Sequence, residues 1–119
     1  KPIIAGVYIN RLNKRMPLQA DPTIKFILGD LAIKRILKKD LLIDSPYNTY
    51  KYVGLPPGPI RVPSISSIDA VLNYEKHNYL YFCARPDFSG YHVFSETLKE
   101  HNLNARIYQR ELNKNKIYR

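Results

Sequence analysis

The sequence has 119 residues, a formal net charge of +9, and 45% hydrophobic and 12% aromatic residues. That length suits one compact domain, and the apolar content excludes global disorder. No apolar run reaches transmembrane length, nothing at the start reads as a secretory leader, and a lone cysteine excludes an internal disulfide.

Ile4, Val7, Tyr8 and Leu12 follow helical spacing with Pro2 near the start, which predicts a first helix ending by Met16-Pro17. Asp21-Pro22-Thr23 predicts the next helix start, with Asp21 capping free amides and Pro22 in the first turn. Ile24, Ile27 and Leu28 supply its apolar face, and Gly29 its stop. Residues 31–43 fit either a basic helix or a strand pair. Five prolines and two glycines in residues 45–63 exclude regular helix there and argue against a sheet interior.

Helical spacing returns over residues 64–73 through Ile65, Ile68 and Leu72, with Ser64 as a cap. Residues 79–84 (YLYFCA) are apolar on both faces, which predicts a central strand. Residues 85–90 read as a hairpin loop and 91–94 as a short returning strand. Ser95 is then expected to cap a long helix with an inner stripe of Leu98, His101, Ala105, Tyr108 and Leu112, fraying after Lys114. Separate helices and a small, largely antiparallel sheet packed against them predict an α+β fold in one domain, without repeats.

The strongest chemical signal is the loop at 45–60, SPYNTYKYVGLPPGPI. Tyr47, Asn48, Thr49, Tyr50 and Tyr52 put five hydrogen-bonding side chains into six positions, and prolines stiffen residues 55–60 behind them. A stiff segment loses little entropy on ordering, so it suits a substrate-facing surface. A structural Pro-rich turn, or a Pro-rich peptide presented to a partner domain, fits the composition equally well. Gln19-Ala20-Asp21-Pro22-Thr23 is the second candidate. Asp21 serves as a helix cap there; if the turn faces the same groove as Asn48 and Tyr50, Gln19 can bind a sugar hydroxyl or acetamido group.

Other residues carry less. Cys83, inside an apolar run, reads as a buried structural thiol. His77, His92 and His101 lie far apart and form no metal motif; His101 falls on the inner helical stripe, and His92 is a candidate to line a site. The scattered positive charge suits a solvated surface or a polyanionic partner: nucleic acid, lipid headgroups or a carboxylate-bearing wall polymer. No phosphate-binding glycine loop or RNA-recognition motif is present.

Five blocks taken in order, GVYINRL (6–12), MPLQADPT (16–23), SPYNTYKYVGLPPGPI (45–60), YLYFCA (79–84) and HVFSETLKEHN (92–102), resemble the endolytic murein transglycosylases, the YceG-like family. The resemblance implies an enzyme that cleaves the bond between N-acetylmuramic acid and N-acetylglucosamine without water. The muramyl C6 hydroxyl attacks its own anomeric carbon and leaves a 1,6-anhydro end. One carboxyl group first protonates the leaving oxygen and then takes the C6 proton, so its pKa must be raised.

In the family that glutamate lies in a helical motif before the GVYINRL block, upstream of Lys1. Glu75, Glu96, Glu100 and Glu111 do not occupy it, and no catalytic residue is carried onto this chain. The resemblance therefore implies the C-terminal part (residues 1–119) of a catalytic domain, inactive alone. Gln19, Asp21, Asn48, Thr49 and Tyr50 are its expected substrate-side walls or positioning groups. It also implies no cofactor or metal, peptidoglycan strands and cell-wall synthesis proteins as partners, and no nucleic acid. Placement is at the cytoplasmic (inner) membrane with the domain on its periplasmic side. The N-terminal anchor and a LysM-like domain that the family implies are not in this chain. A non-catalytic glycan-binding module is the alternative, followed by a basic nucleic-acid-binding domain.

Overall fold

Helix α1 (Pro2–Asn13) starts with a proline whose fixed φ suits a first turn, and it buries Ala5, Gly6 and Val7. The computed structural model describes residues 1–30, 32–33, 35–87 and 89–115. These form α2 (Asp21–Leu28), a 3-10 helix (Lys38–Leu42), α3 (Ile65–Leu72), β1 (Tyr81–Ala84), β2 (His92–Ser95) and α4 (Leu98–Lys114). Four α-helices and one antiparallel pair of strands make the fold α+β. The described residues divide into two compact units: residues 1–10 with those from 65 to 115, and residues 11–64.

The first unit is organised by the β1–β2 hairpin, whose register pairs Tyr81 with Ser95, Phe82 with Phe94, Cys83 with Val93 and Ala84 with His92. α4 packs across both strands, and His101 stacks on Tyr81 with ring centroids 5.1 Å apart. Tyr8 of α1 meets Phe82 edge-on at 5.7 Å. Asn10 Nδ2 donates to the carbonyls of His77 (2.9 Å) and Tyr79 (3.0 Å), so one amide ties α1 to the approach to β1. Two hydrogen bonds orient the His77 ring. Its Nδ1 accepts the Tyr79 N–H at 3.0 Å, while Nε2–H donates to the Ile3 carbonyl at 2.8 Å. Gly6 is required here, because a Cβ would lie 2.6 Å from His77 Nε2 and closer still to the Glu75 carbonyl.

Several expectations are corrected. Residues 79–84 do not form a central strand: β1 covers only Tyr81–Ala84, and among the described residues it pairs with β2 alone. Ser95 ends β2 and is buried, and the cap of α4 is Thr97, whose hydroxyl accepts the Glu100 N–H at 3.3 Å. Leu98 is exposed in the first turn, leaving Leu112 as the fully buried residue of the inner stripe. The expected apolar face of α3 is also exposed at Ile65, Ile68 and Leu72, and Ala70 is its buried residue. Residues 38–42 are neither strand nor α-helix; Leu31 and Lys34 lie outside the described residues, as does the segment after Asn115. The hairpin and the lack of helix or strand at 45–63 match expectation.

Candidate functional site

The second unit joins two loops that sequence reading singled out separately. The turn at 17–21 follows α1, and the Arg11 guanidinium, 5% exposed, fixes it by donating to the Pro17 carbonyl at 2.7 Å. The Gln19 N–H donates to the Thr49 carbonyl at 3.1 Å, and the Ala20 N–H to Thr49 Oγ1 at 2.9 Å. Thr23 Oγ1 donates to the Ala20 carbonyl at 2.7 Å and lies 2.9 Å from Thr49 Oγ1. Either hydroxyl can donate in that pair, because Thr49 Oγ1 also lies within 3.4 Å of the Ala20 carbonyl. Both threonines are buried, at 5% and 2% exposure.

Asn48 fixes the other side of the junction. It is fully buried; Nδ2 donates to the carbonyls of Leu41 (3.0 Å) and Ile43 (2.8 Å), and Oδ1 accepts the Tyr50 N–H at 2.9 Å. Ser45 Oγ accepts the Tyr47 N–H at 3.2 Å, and the Tyr47 ring packs against Phe26 of α2 at 5.0 Å. The 45–52 loop thus uses side chains where a strand would use a neighbouring backbone.

Three of the five expected site residues lie on the outer side of this frame. Gln19 is exposed and has φ of 50°, a left-handed conformation that costs a non-glycine residue about 1 kcal/mol or more. Asp21 is exposed and accepts a hydrogen bond from the hydroxyl of half-buried Tyr50. Asp21 does not cap α2: the N-cap is Ala20, without a side-chain bond, and Asp21 is the first helical residue. Its carboxylate turns to Tyr50 across the loops instead. Asn48 and Thr49 face inward, and their polar groups are taken up by the chain itself. Gly29 ends α2 as expected, at φ of 74°.

Sequence reading named Thr23 within the 19–23 candidate segment and as part of a helix start, and missed that its hydroxyl completes the junction. It also missed the outer pair of Tyr52 and Asp44, 2.7 Å apart, with Lys51 at 3.7 Å. The Tyr52 hydrogen bond, then Lys51, holds the Asp44 carboxylate below its ordinary pKa, and the Ser89 side chain does the same for Asp87. Both shifts run opposite to what a general acid needs. His92 belongs to the first unit, where it packs edge-on against Phe82 at 5.5 Å. Burial raises the Cys83 pKa, in keeping with an unreactive thiol. Among the described residues no cluster of three or more His, Cys, Asp or Glu can hold a metal ion.

The model of the YceG-like family matches residues 1–107. A protein of Bacillus subtilis named endolytic murein transglycosylase is 54% identical over 99 residues, covering 83% of this chain and 27% of the relative. One of the same name from Streptococcus pneumoniae is 46% identical over 88 residues, covering 71% of this chain and 16% of the relative. The crystal structure of a yceG-like protein from Listeria monocytogenes superposes with a TM-score of 0.79 at 51% identity, over 86% of this chain and 33% of that one. The chain thus spans a third or less of these relatives.

Proposed function

Because the chain belongs to the YceG-like family, we propose that it is the glycan-binding part of a catalytic domain that cleaves peptidoglycan strands internally. The observation that carries this reading is the junction of the 17–21 turn with the 45–52 loop. Buried Thr23, Asn48 and Thr49 hold Gln19, Asp21 and Tyr50 on its outer side. An exposed amide two residues before the carboxylate of a carboxylate–phenol pair offers donors and acceptors of the kind that sugar hydroxyl and acetamido groups require. The names of the relatives supply the substrate class.

In this reading Gln19, Asp21 and Tyr50 touch the glycan, and Asn48 and Thr49 position them. The reaction breaks the muramyl C1–O bond and forms a bond from C6–O to the same carbon. One carboxyl group delivers its proton to the leaving oxygen and takes the C6 hydroxyl proton, so no water is consumed. The sugar is its own nucleophile, so a second catalytic carboxylate is unnecessary. The proton-transfer group is assigned to the family segment preceding the GVYINRL block. The substrate puts the domain outside the cytoplasmic membrane. Attachment to that membrane is part of this reading and rests on the family resemblance; no described helix is long and apolar enough to cross a membrane.

The test is release of 1,6-anhydro-muropeptides from purified peptidoglycan. Residues 1–119 alone should release none, and the chain extended upstream by the family segment should release them. Release by residues 1–119 that survives Glu96→Gln with Glu100→Gln contradicts the assignment of the acid.

A further inference from the structure

Helix α4 turns His101, Tyr108 and Leu112 inward and carries a different chemistry on its outer side. At 3.6 residues per turn, Lys99, Leu103, Arg106, Arg110 and Lys114 fall within an arc of about 80°, opposite the buried side. All five are exposed. The ridge from Lys99 to Lys114 is about 22 Å long at the helical rise. Glu100 and Glu111 lie outside the arc, and among the described residues none of the four cations is ion-paired.

Helix stability does not account for this ridge. The dipole favours cations in the last turn, which covers Lys114, but it disfavours Lys99 in the first turn and is indifferent to Arg106. Arg106, Arg110 and Lys114 are successive i, i+4 neighbours of like charge, an arrangement that weakens a helix. Bound anions would relieve that repulsion. A lipid surface suits the ridge poorly, because the strand hairpin already occupies the helix's apolar stripe and Leu103 alone interrupts the cations. A chain-like polyanion fits a narrow line of charge, and guanidinium forks match carboxylates.

The geometry points to the outer face of α4 as a docking ridge for the carboxylate-bearing peptide stems of the peptidoglycan strand. This rests on the proposed reading of peptidoglycan as substrate. The ridge holds stems while the Gln19–Tyr50 face holds sugar, so the two contributions are separable by removing the stems.

The experiment measures binding of residues 1–119 to purified peptidoglycan and to the same glycan after amidase removal of its stems. A ridge variant (K99Q, R106Q, R110Q, K114Q) is compared with a control of equal charge loss (K14Q, K38Q, K39Q, R61Q), both checked for folding by circular dichroism. The ridge variant should bind intact peptidoglycan about tenfold more weakly, with the control within about twofold of the wild type. Stem removal should weaken the wild type similarly and leave the ridge variant unchanged.

Wild-type-like binding by the ridge variant, an equal loss in the control, or indifference of the wild type to stem removal would each overturn the inference. Ridge-dependent binding to phosphatidylglycerol vesicles without stem dependence would overturn it in favour of a membrane. Failure of the wild type to bind stem-free glycan counts against the proposed function instead, and the intact-minus-stem-free difference still judges the ridge.

Discussion

Thr49 holds Gln19 in its left-handed conformation: the Thr49 carbonyl accepts the Gln19 N–H at 3.1 Å while its hydroxyl accepts the next N–H, that of Ala20, at 2.9 Å. One buried residue of the 45–52 loop therefore sets two successive backbone positions of the 17–21 turn. Thr49→Val keeps the shape and removes the hydroxyl, taking from the Ala20 N–H its acceptor and from the Thr23 hydroxyl its hydroxyl partner. The expected cost is about 1–3 kcal/mol of unfolding free energy, measured by urea titration. Thr49→Ser should recover most of it. A midpoint unchanged in Thr49→Val would show that the hydroxyl does not pin the turn.

Asn48 and Tyr52 provide a contrast between buried and exposed polar groups in one loop. Asn48→Ala takes the side-chain partner from the Leu41 carbonyl and the Tyr50 N–H, leaves the Ile43 carbonyl with the Ser45 N–H, and should cost about 2 kcal/mol. Tyr52→Phe removes a single hydrogen bond to Asp44 at the surface and should leave the urea midpoint essentially unchanged. Comparable losses in the two variants would contradict the buried frame.

Gly6 tests the close approach of α1 to residues 75–77. Helix propensity alone favours Ala over Gly by about 1 kcal/mol. The Glu75 carbonyl and the His77 ring leave no room for the methyl, so Gly6→Ala should destabilise by about 1–3 kcal/mol. A thermal midpoint raised by this substitution would mean that the helix has room to accept the methyl.

His92 gives a pH dependence with a definite sign. Burial holds its pKa below the ordinary 6.5. As pH falls through 6.5 the unfolded chain takes up this proton, and the folded chain does so only at lower pH. The stability from keeping His92 neutral is thus complete above its unfolded pKa and is lost as pH falls below it. Thermal midpoints from about pH 8 to about pH 5 should drop more steeply for the wild type than for His92→Gln. Parallel curves would remove His92 as the source.

Much of this architecture is legible in the sequence where the signal is local. Gly29 marks the end of α2 because a left-handed stop needs glycine, and prolines exclude helix at 45–63 because they lack the donor. The family blocks are legible in the same way at greater length. Signals decided by distant partners are not legible. Asp21 has the composition of a cap, yet Tyr50, 29 residues on, takes its carboxylate. Asn48 and Thr49 look like exposed binding groups until the carbonyls of Leu41 and Ile43 and the N–H of Ala20 are brought to them. Ser95 and Thr97 are both good caps in isolation, and the hairpin register, which pairs Ser95 with Tyr81, decides between them.

On the proposed reading, the strained, exposed Gln19 is held for a glycan rather than for the fold. Gln19→Gly tests this, because glycine adopts φ of 50° without penalty and removes only the side chain. The measurement is affinity for stem-free glycan strands, alongside the urea midpoint. Affinity should be about tenfold weaker, the scale of one lost polar contact, with a midpoint equal to or above that of the wild type. Unchanged affinity in a protein of equal or greater stability would contradict a glycan-binding role for Gln19.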